Sequence, residues 1–328
     1  MPGEPSSALL EPESAAIPAS APARINRTRV VFSFFAIYFI WGSTYLGVHY
    51  AVTTIPPLYA AGTRHLIAGT FLLLLCIRKG LRPTWPQVRA GFIVGVLFFF
   101  IGHGTLHWGL VRVPTGLAAL LIASEPIWVF LLSEWAARRW QVNGALISGV
   151  VLGLAGVAFL MEGSILHAGP AVLLRAVAIL AGAFSWAAGI VYSRRSTLSG
   201  HPLLLSALSL LSGAALLLTT ATLTGEYHGF ALANVSTRSW LALAYIIVFG
   251  SVITFSSYVW LLEHFSPTLV ATHTYINPIV AVFLGWLFAG EKITLSLGIS
   301  AAMVIGAVIL VDRGTARLNQ KSHATVKV

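Results

Sequence analysis

The chain has 328 residues, of which 57% are hydrophobic and only 9% charged, with a mean hydropathy of +0.85. A soluble domain carries roughly 25% charged residues, so the composition excludes one and points to an integral membrane protein. The formal net charge of +10 comes from basic residues set between apolar stretches; that is the signature of membrane orientation, and no nucleic-acid partner is expected.

Residues 1–29 are mostly Pro, Ala, Ser and Glu until Arg24, Arg27 and Arg29, and read as a disordered cytoplasmic tail. The tail has no early basic region followed by an apolar core, so no cleavable signal peptide is expected. The first long apolar run then acts as an uncleaved anchor. A span needs about 20 apolar residues. That window gives ten candidates, at about 30–52, 58–77, 89–110, 116–135, 143–162, 171–193, 203–224, 239–262, 268–289 and 294–311. Short turns rich in Gly and Pro connect them, such as Thr54–Pro57 and Gly80–Pro86, and a cytoplasmic tail follows at 313–328.

With ten spans both termini lie on one side. Fifteen Lys and Arg residues fall on that side, and only Arg112, Arg238 and Lys292 on the other. The bias puts both termini in the cytoplasm. Arg64 and Arg175 lie within spans.

The halves repeat, with units at 30–162 and 171–312. Trp108 precedes Pro126 by 18 residues, and Trp260 precedes Pro278 by 18. Each interval holds a Pro-Thr pair, Pro114-Thr115 and Pro267-Thr268, and Trp41 of the first span matches Trp186 of the sixth. Five spans per unit force the second copy to enter upside down, the build of many secondary transporters with a midplane site. The expected fold is therefore an all-α polytopic membrane protein, with ten transmembrane helices in two inverted five-helix repeats. Gly91 with Gly95, and Gly149 with Gly153, have the spacing that lets membrane helices approach closely.

The segment WGSTYLGVHYAVTTIPPLYAAGTRHLIAG (Trp41 to Gly69), the Asn277-Pro278 pair and the Gly290-Glu291-Lys292 ending resemble the EamA-type transporters of the drug/metabolite transporter superfamily. The resemblance spans about residues 30–312 and implies a ten-helix inner-membrane carrier. Such carriers export amino acids, other metabolites or toxic compounds by alternating access, with protons as a coupling ion. It also implies an Arg at position 64, and a neutral residue where this chain has Glu125.

Glu125 is the leading candidate for a substrate- or proton-binding group, because a carboxylate at the bilayer centre is costly and rarely idle. Pro126 and Pro278 are expected to break their helices. Arg64 reads as a ligand for a substrate carboxylate, a partner of Glu125 or a cap for carbonyls of the broken helix. His65 is expected on another face. His103 and His107 share a helix face four residues apart, beside Trp108, as do His273 and Asn277, with Tyr275 nearby. The His103/His107 pair serves equally as a proton relay or as an interhelical contact. Trp41, Trp186 and Tyr258 complete an aromatic lining suited to an apolar or cationic solute. Glu291 and Lys292 read as a short external loop pair. There is no zinc-spaced Cys/His cluster, P-loop or nucleophile elbow, so neither metal nor cofactor is expected. The expected partners are a small-molecule substrate, protons and the lipid bilayer. The rival is an intramembrane transferase using Glu125 with His103 or His107.

Overall fold

The computed structural model describes residues 26–138, 142–161, 168–195, 202–265, 270 and 272–325. Among them there is no strand. Eight helices are long and apolar enough to cross a membrane: α1 (Arg27–Ala51), α2 (Pro57–Arg78), α3 (Trp85–Gly109), α4 (Thr115–Ala137), α6 (Pro170–Ser193), α7 (Leu203–Leu223), α8 (Thr237–Tyr258) and α10 (Leu295–Arg317). Two shorter apolar helices, α5 (Gly144–Leu160) and α9 (His273–Ala289), complete the set. The chain is thus an all-α polytopic membrane protein. The last helix continues to Thr325, past residue 312 where the sequence ends the second unit. The tail before residue 26 and the Pro267-Thr268 pair lie outside the described residues.

Local chemistry sets the helix ends. Asn26, Asn143 and Ser236 cap α1, α5 and α8 by accepting a backbone N–H with their side chains. Pro57 stands in the first turn of α2, where a missing N–H costs nothing. Helices α4 and α9 both end on a left-handed residue, Arg138 at φ 52° and Gly290 at φ 68°.

The packing relates each helix to its counterpart in the other unit. Gly62 of α2 faces Leu218 of α7 and Gly69 faces Leu211, so the numbers rise on one helix as they fall on the other. Gly149 of α5 faces Val311 of α10 and Gly156 faces Met303, again in opposite order. Counterparts five helices apart therefore lie antiparallel against one another. The other contacts are reciprocal: α3 packs on α6 as α8 packs on α1, and α4 packs on α6 as α9 packs on α1. This is the contact pattern of an inverted repeat. Small residues carry these seams because lipid offers no hydrophobic drive for helix association, only close packing. Gly91 and Gly95 of α3 meet Leu208 and Ser212 of α7 in the same way. Cys76 is buried and free.

Among the described residues, π-helical stretches run over Ala36–Ile40 in α1, Val96–His103 in α3 and Ile246–Ile253 in α8. A π turn shifts carbonyls away from their usual i+4 donors and recurs at functional sites. Each stretch has a carbonyl bonded by a side chain of the opposite unit. Ser185 of α6 donates to Leu97 O at 2.8 Å, and Trp41 Nε1 of α1 donates to Gly250 O at 3.0 Å. Asn277 of α9, with its amide oriented as its neighbours require, donates to Ile37 O at 3.0 Å and Tyr38 O at 2.8 Å.

Candidate functional site

Helix α4 breaks at Ala123–Ser124, and a new helix starts at Glu125 with Pro126 in its first turn. Pro126 lacks an N–H that a helix start does not use. Ser124 covers the break: its hydroxyl donates to Leu121 O at 2.6 Å and accepts Trp128 Nε1 at 3.1 Å. Glu125 keeps part of its surface accessible and stands within electrostatic reach of the Tyr45 hydroxyl on α1. It does not pair with Arg64, whose Nε donates instead to Ser251 Oγ of α8 at 2.7 Å.

Helix α9 begins at His273, and Pro278 lies inside it. The break there falls before the proline, at the turn through Thr272, where Tyr38 OH bonds Thr272 Oγ1 at 2.6 Å. The two prolines thus differ in geometry: Pro126 restarts a helix, whereas Pro278 is carried within one.

Depth follows from the 1.5 Å rise per residue. Trp41, Glu125 and Asn277 lie roughly 15–18 Å from the helix ends Ala51, Thr115 and Ala289, near the middle of a hydrocarbon layer about 30 Å thick. Arg64 and His103 lie roughly 9–10 Å from the same face.

Two aromatic groups flank this level. In the first, the Trp41 ring centroid lies 5.1 Å from that of Tyr258 and 5.2 Å from that of His273. His273 Nδ1 donates to Val270 O at 3.0 Å, which fixes the ring. In the second, Trp186 stacks on Phe98 at 4.4 Å and on His103 at 5.0 Å. His103 Nδ1 is 3.0 Å from His65 Nε2, and His107 Nδ1 donates to His103 O at 2.7 Å. His65 points to a different helix from its neighbour Arg64: Arg64 bonds Ser251 of α8, and His65 meets His103 of α3. The structure therefore gathers Trp41, Tyr258, His273 and Asn277 in one group and Arg64, His103, His107 and Trp186 in a second, and the two meet at Gly250, where Trp41 and Arg64 both approach.

Two expected lining residues have other partners. The Arg175 guanidinium covers the Trp108 ring at 4.3 Å and donates to Trp108 O. Tyr275 donates to the Asp312 carboxylate of α10. A groove of about 300 Å³ beside Pro278, lined by Ile279, Phe283, Ile293 and Ile305, is wholly apolar. Ile279 and Phe283 are more than half exposed there, as befits a lipid-facing surface.

Glu291 is not a free loop residue. Its carboxylate accepts Thr115 N at 2.6 Å and Gly116 N at 3.2 Å, capping the start of α4 from the other unit. Glu226, between α7 and α8, likewise accepts Leu58 N at the start of α2, at 2.9 Å. Burial raises the Glu226 carboxyl above its ordinary range, against the opposing pull of the Leu58 and Tyr59 N–H groups. On the same face Tyr50 OH donates to Phe288 O at 2.5 Å, Thr54 Oγ1 donates to Ser239 Oγ at 2.8 Å, and Arg238 covers the Tyr50 ring at 3.5 Å. All these bonds join the first unit to the second. Sequence spacing offered no sign of Tyr45, His65, Ser251, Glu226 or Glu291 as partners, since each contact spans distant parts of the chain.

Comparison with known proteins gives these features a family. Residues 28–162 and 173–312 each match the EamA-like transporter family. The chain is 33% identical over 284 residues to a protein of Escherichia coli (strain K12) described as the uncharacterized inner membrane transporter YedA, covering 85% of this chain and 89% of that one. It is 24% identical over 289 residues to the uncharacterized transporter YoaV of Bacillus subtilis (strain 168), covering 86% and 96%. It is 25% identical over 272 residues to the S-adenosylmethionine/S-adenosylhomocysteine transporter of Chlamydia trachomatis serovar L2, covering 80% and 82%. A solved crystal structure with 19% identity shares the fold at a TM-score of 0.62, over 89% of this chain and 99% of that one. The double match covers most of the sequence, and the chain belongs to the EamA-like transporter family.

Proposed function

We propose that this transporter is a secondary carrier that exports a small organic solute across the inner membrane by alternating access, with both termini cytoplasmic and all ten apolar helices crossing the bilayer. The observation that carries this reading is Glu125. It is a carboxylate near mid-depth, at a helix restart, partly accessible and facing α1 rather than a cation. Such a group can hold a proton or the cationic end of a solute. The antiparallel seams supply two halves able to rock around it. Bonds from Glu226, Glu291, Tyr50 and Thr54 link the units on the face that the cation count places outside, and opening to the exterior requires breaking them. The relative named for S-adenosylmethionine supports an organic metabolite as cargo.

The transferase alternative gains no support from the histidines. His103 contacts His65 and Trp186, not Glu125. The test is flux. Proteoliposomes holding the wild-type chain should show saturable, counterflow-competent movement of labelled solutes from a panel of metabolites and amines, driven by a pH gradient. Product formation without flux overturns the carrier reading.

A further inference from the structure

Beside the Glu125 level lies a cluster that the carrier reading does not use. Arg64 is only 4% exposed, and its Nε is tied to Ser251 Oγ. The end of its guanidinium lies over Gly250; a Cβ there would stand 3.2 Å from Arg64 Nη2. Among the described residues no carboxylate and no carbonyl bonds that end. All three imidazoles, His65, His103 and His107, stand within electrostatic reach of this cation. Two of them carry nitrogens without partners: His65 Nδ1 and His107 Nε2 are fully buried and bond nothing.

A buried cation without a counter-ion, beside buried polar atoms without partners, is an incomplete arrangement. An acceptor-only group completes the guanidinium and the His65 nitrogen. A guanidinium presents a planar fork that matches a carboxylate in bidentate fashion, and His65, with its Nε2 accepting from His103 Nδ1, has an Nδ1–H to donate to the same anion. His107 does not, because its Nδ1 proton is given to His103 O and its Nε2 carries a lone pair. The Trp41 indole is fixed to Gly250 O, next to the free end of the guanidinium. It continues into Tyr258 and His273 at centroid distances of 5.1 and 5.2 Å, an aromatic surface for an apolar body.

We infer that Arg64, with His65 beside it, seats the carboxylate of an organic acid whose apolar body lies against Trp41. The inference rests on the carrier reading and narrows its cargo to organic anions. Arg64 provides the charge, Ser251 holds the guanidinium in plane, and His65 closes the far side.

The probe is benzoate, a carboxylate on an aromatic body, with benzyl alcohol and benzylamine as controls. Binding to the purified full chain in detergent is read by calorimetry and by tryptophan fluorescence. Benzoate should bind saturably, and the alcohol and amine should not. Arg64→Gln should weaken benzoate roughly ten- to hundredfold, the loss expected for a bidentate charge-assisted pair. Arg64→Lys should recover part of it. If Arg64→Gln fails to fold, His65→Phe replaces it, with a several-fold loss expected. Benzoate binding no tighter than benzyl alcohol overturns the inference, as does binding unchanged in a folded Arg64→Gln or His65→Phe variant. Flux of an amine with no benzoate binding removes the anion seat and leaves the carrier. Benzoate binding without any flux keeps the seat and removes the carrier.

Discussion

Asn277 Nδ2 donates to Tyr38 O at 2.8 Å and so ties α9, just ahead of its internal proline, to the π turn of α1 in the other unit. The side chain fills a gap on both helices. The π turn displaces carbonyls at Ile37 and Tyr38, and α9 supplies the donors. Gly42 keeps the helices close, since a Cβ there would stand 2.8 Å from Val280 Cβ.

Asn277→Ala removes the side-chain donor shared by the Ile37 and Tyr38 carbonyls. Leaving a buried polar group unsatisfied costs about 1–3 kcal/mol. Thermal unfolding in detergent should show a lower midpoint for this variant. Asn277→Asp should be worse, because it places acceptors against acceptors. A midpoint equal to wild type would mean that water satisfies the π turn.

Glu125→Gln keeps the size of the side chain and removes its charge and proton. The variant should reach the membrane folded, since among the described residues no cation pairs with the carboxylate. Its pH-driven flux in proteoliposomes should fall to that of empty vesicles. Flux with an unaltered pH profile would end the idea that this carboxylate carries the coupling proton.

Glu291 acts through two backbone N–H groups, and a hydrogen bond to a charged group contributes about 1.5–3 kcal/mol. Glu291→Ala should loosen the face proposed to be external. A Ser239→Cys reporter in a Cys76→Ala background should then react faster with an impermeant maleimide added outside. Gly285→Ala is the steric counterpart: its Cβ would stand 2.5 Å from Glu291 Oε2 and 2.4 Å from Thr115 Oγ1, so it should push the carboxylate off its donors and give the same labelling.

Glu226 predicts a pH dependence with a definite sign. Its carboxyl is raised by burial, so the folded chain binds more protons there than the unfolded chain does. Stability therefore falls as pH rises from the ordinary carboxylate range through the raised value. Unfolding midpoints measured across that window should decline more steeply for wild type than for Glu226→Gln. Parallel curves would remove Glu226 from the account.

The helices were legible because hydrophobicity is written locally, about 20 residues at a time. The Trp-to-Pro spacing announced the two units, and glycine pairs such as Gly149 and Gly153 announced their seams. The site was legible only in parts. Trp41, Tyr258, His273 and Asn277 meet because matching helices of an inverted repeat cross at one level. Helix periodicity puts His65 on another face from Arg64, but it does not say that this face meets His103. Glu291 was read as a loop charge, although the helix start it caps lies in the other unit, 176 positions earlier at Thr115. Pro126 and Pro278 looked equivalent in sequence, yet one begins a helix and the other sits inside one.

The seams between α2 and α7, and between α5 and α10, have a mechanical corollary. Each joins a segment to its own counterpart, so each lies on the pseudo-twofold axis and is mapped onto itself when the halves trade places. In the proposed alternating-access cycle, bulk added there, as in Gly69→Leu, should retard inward and outward strokes alike. The Glu226 and Glu291 clasps sit off that axis and on one rim, so weakening them should tilt the resting balance toward one stroke instead of slowing both.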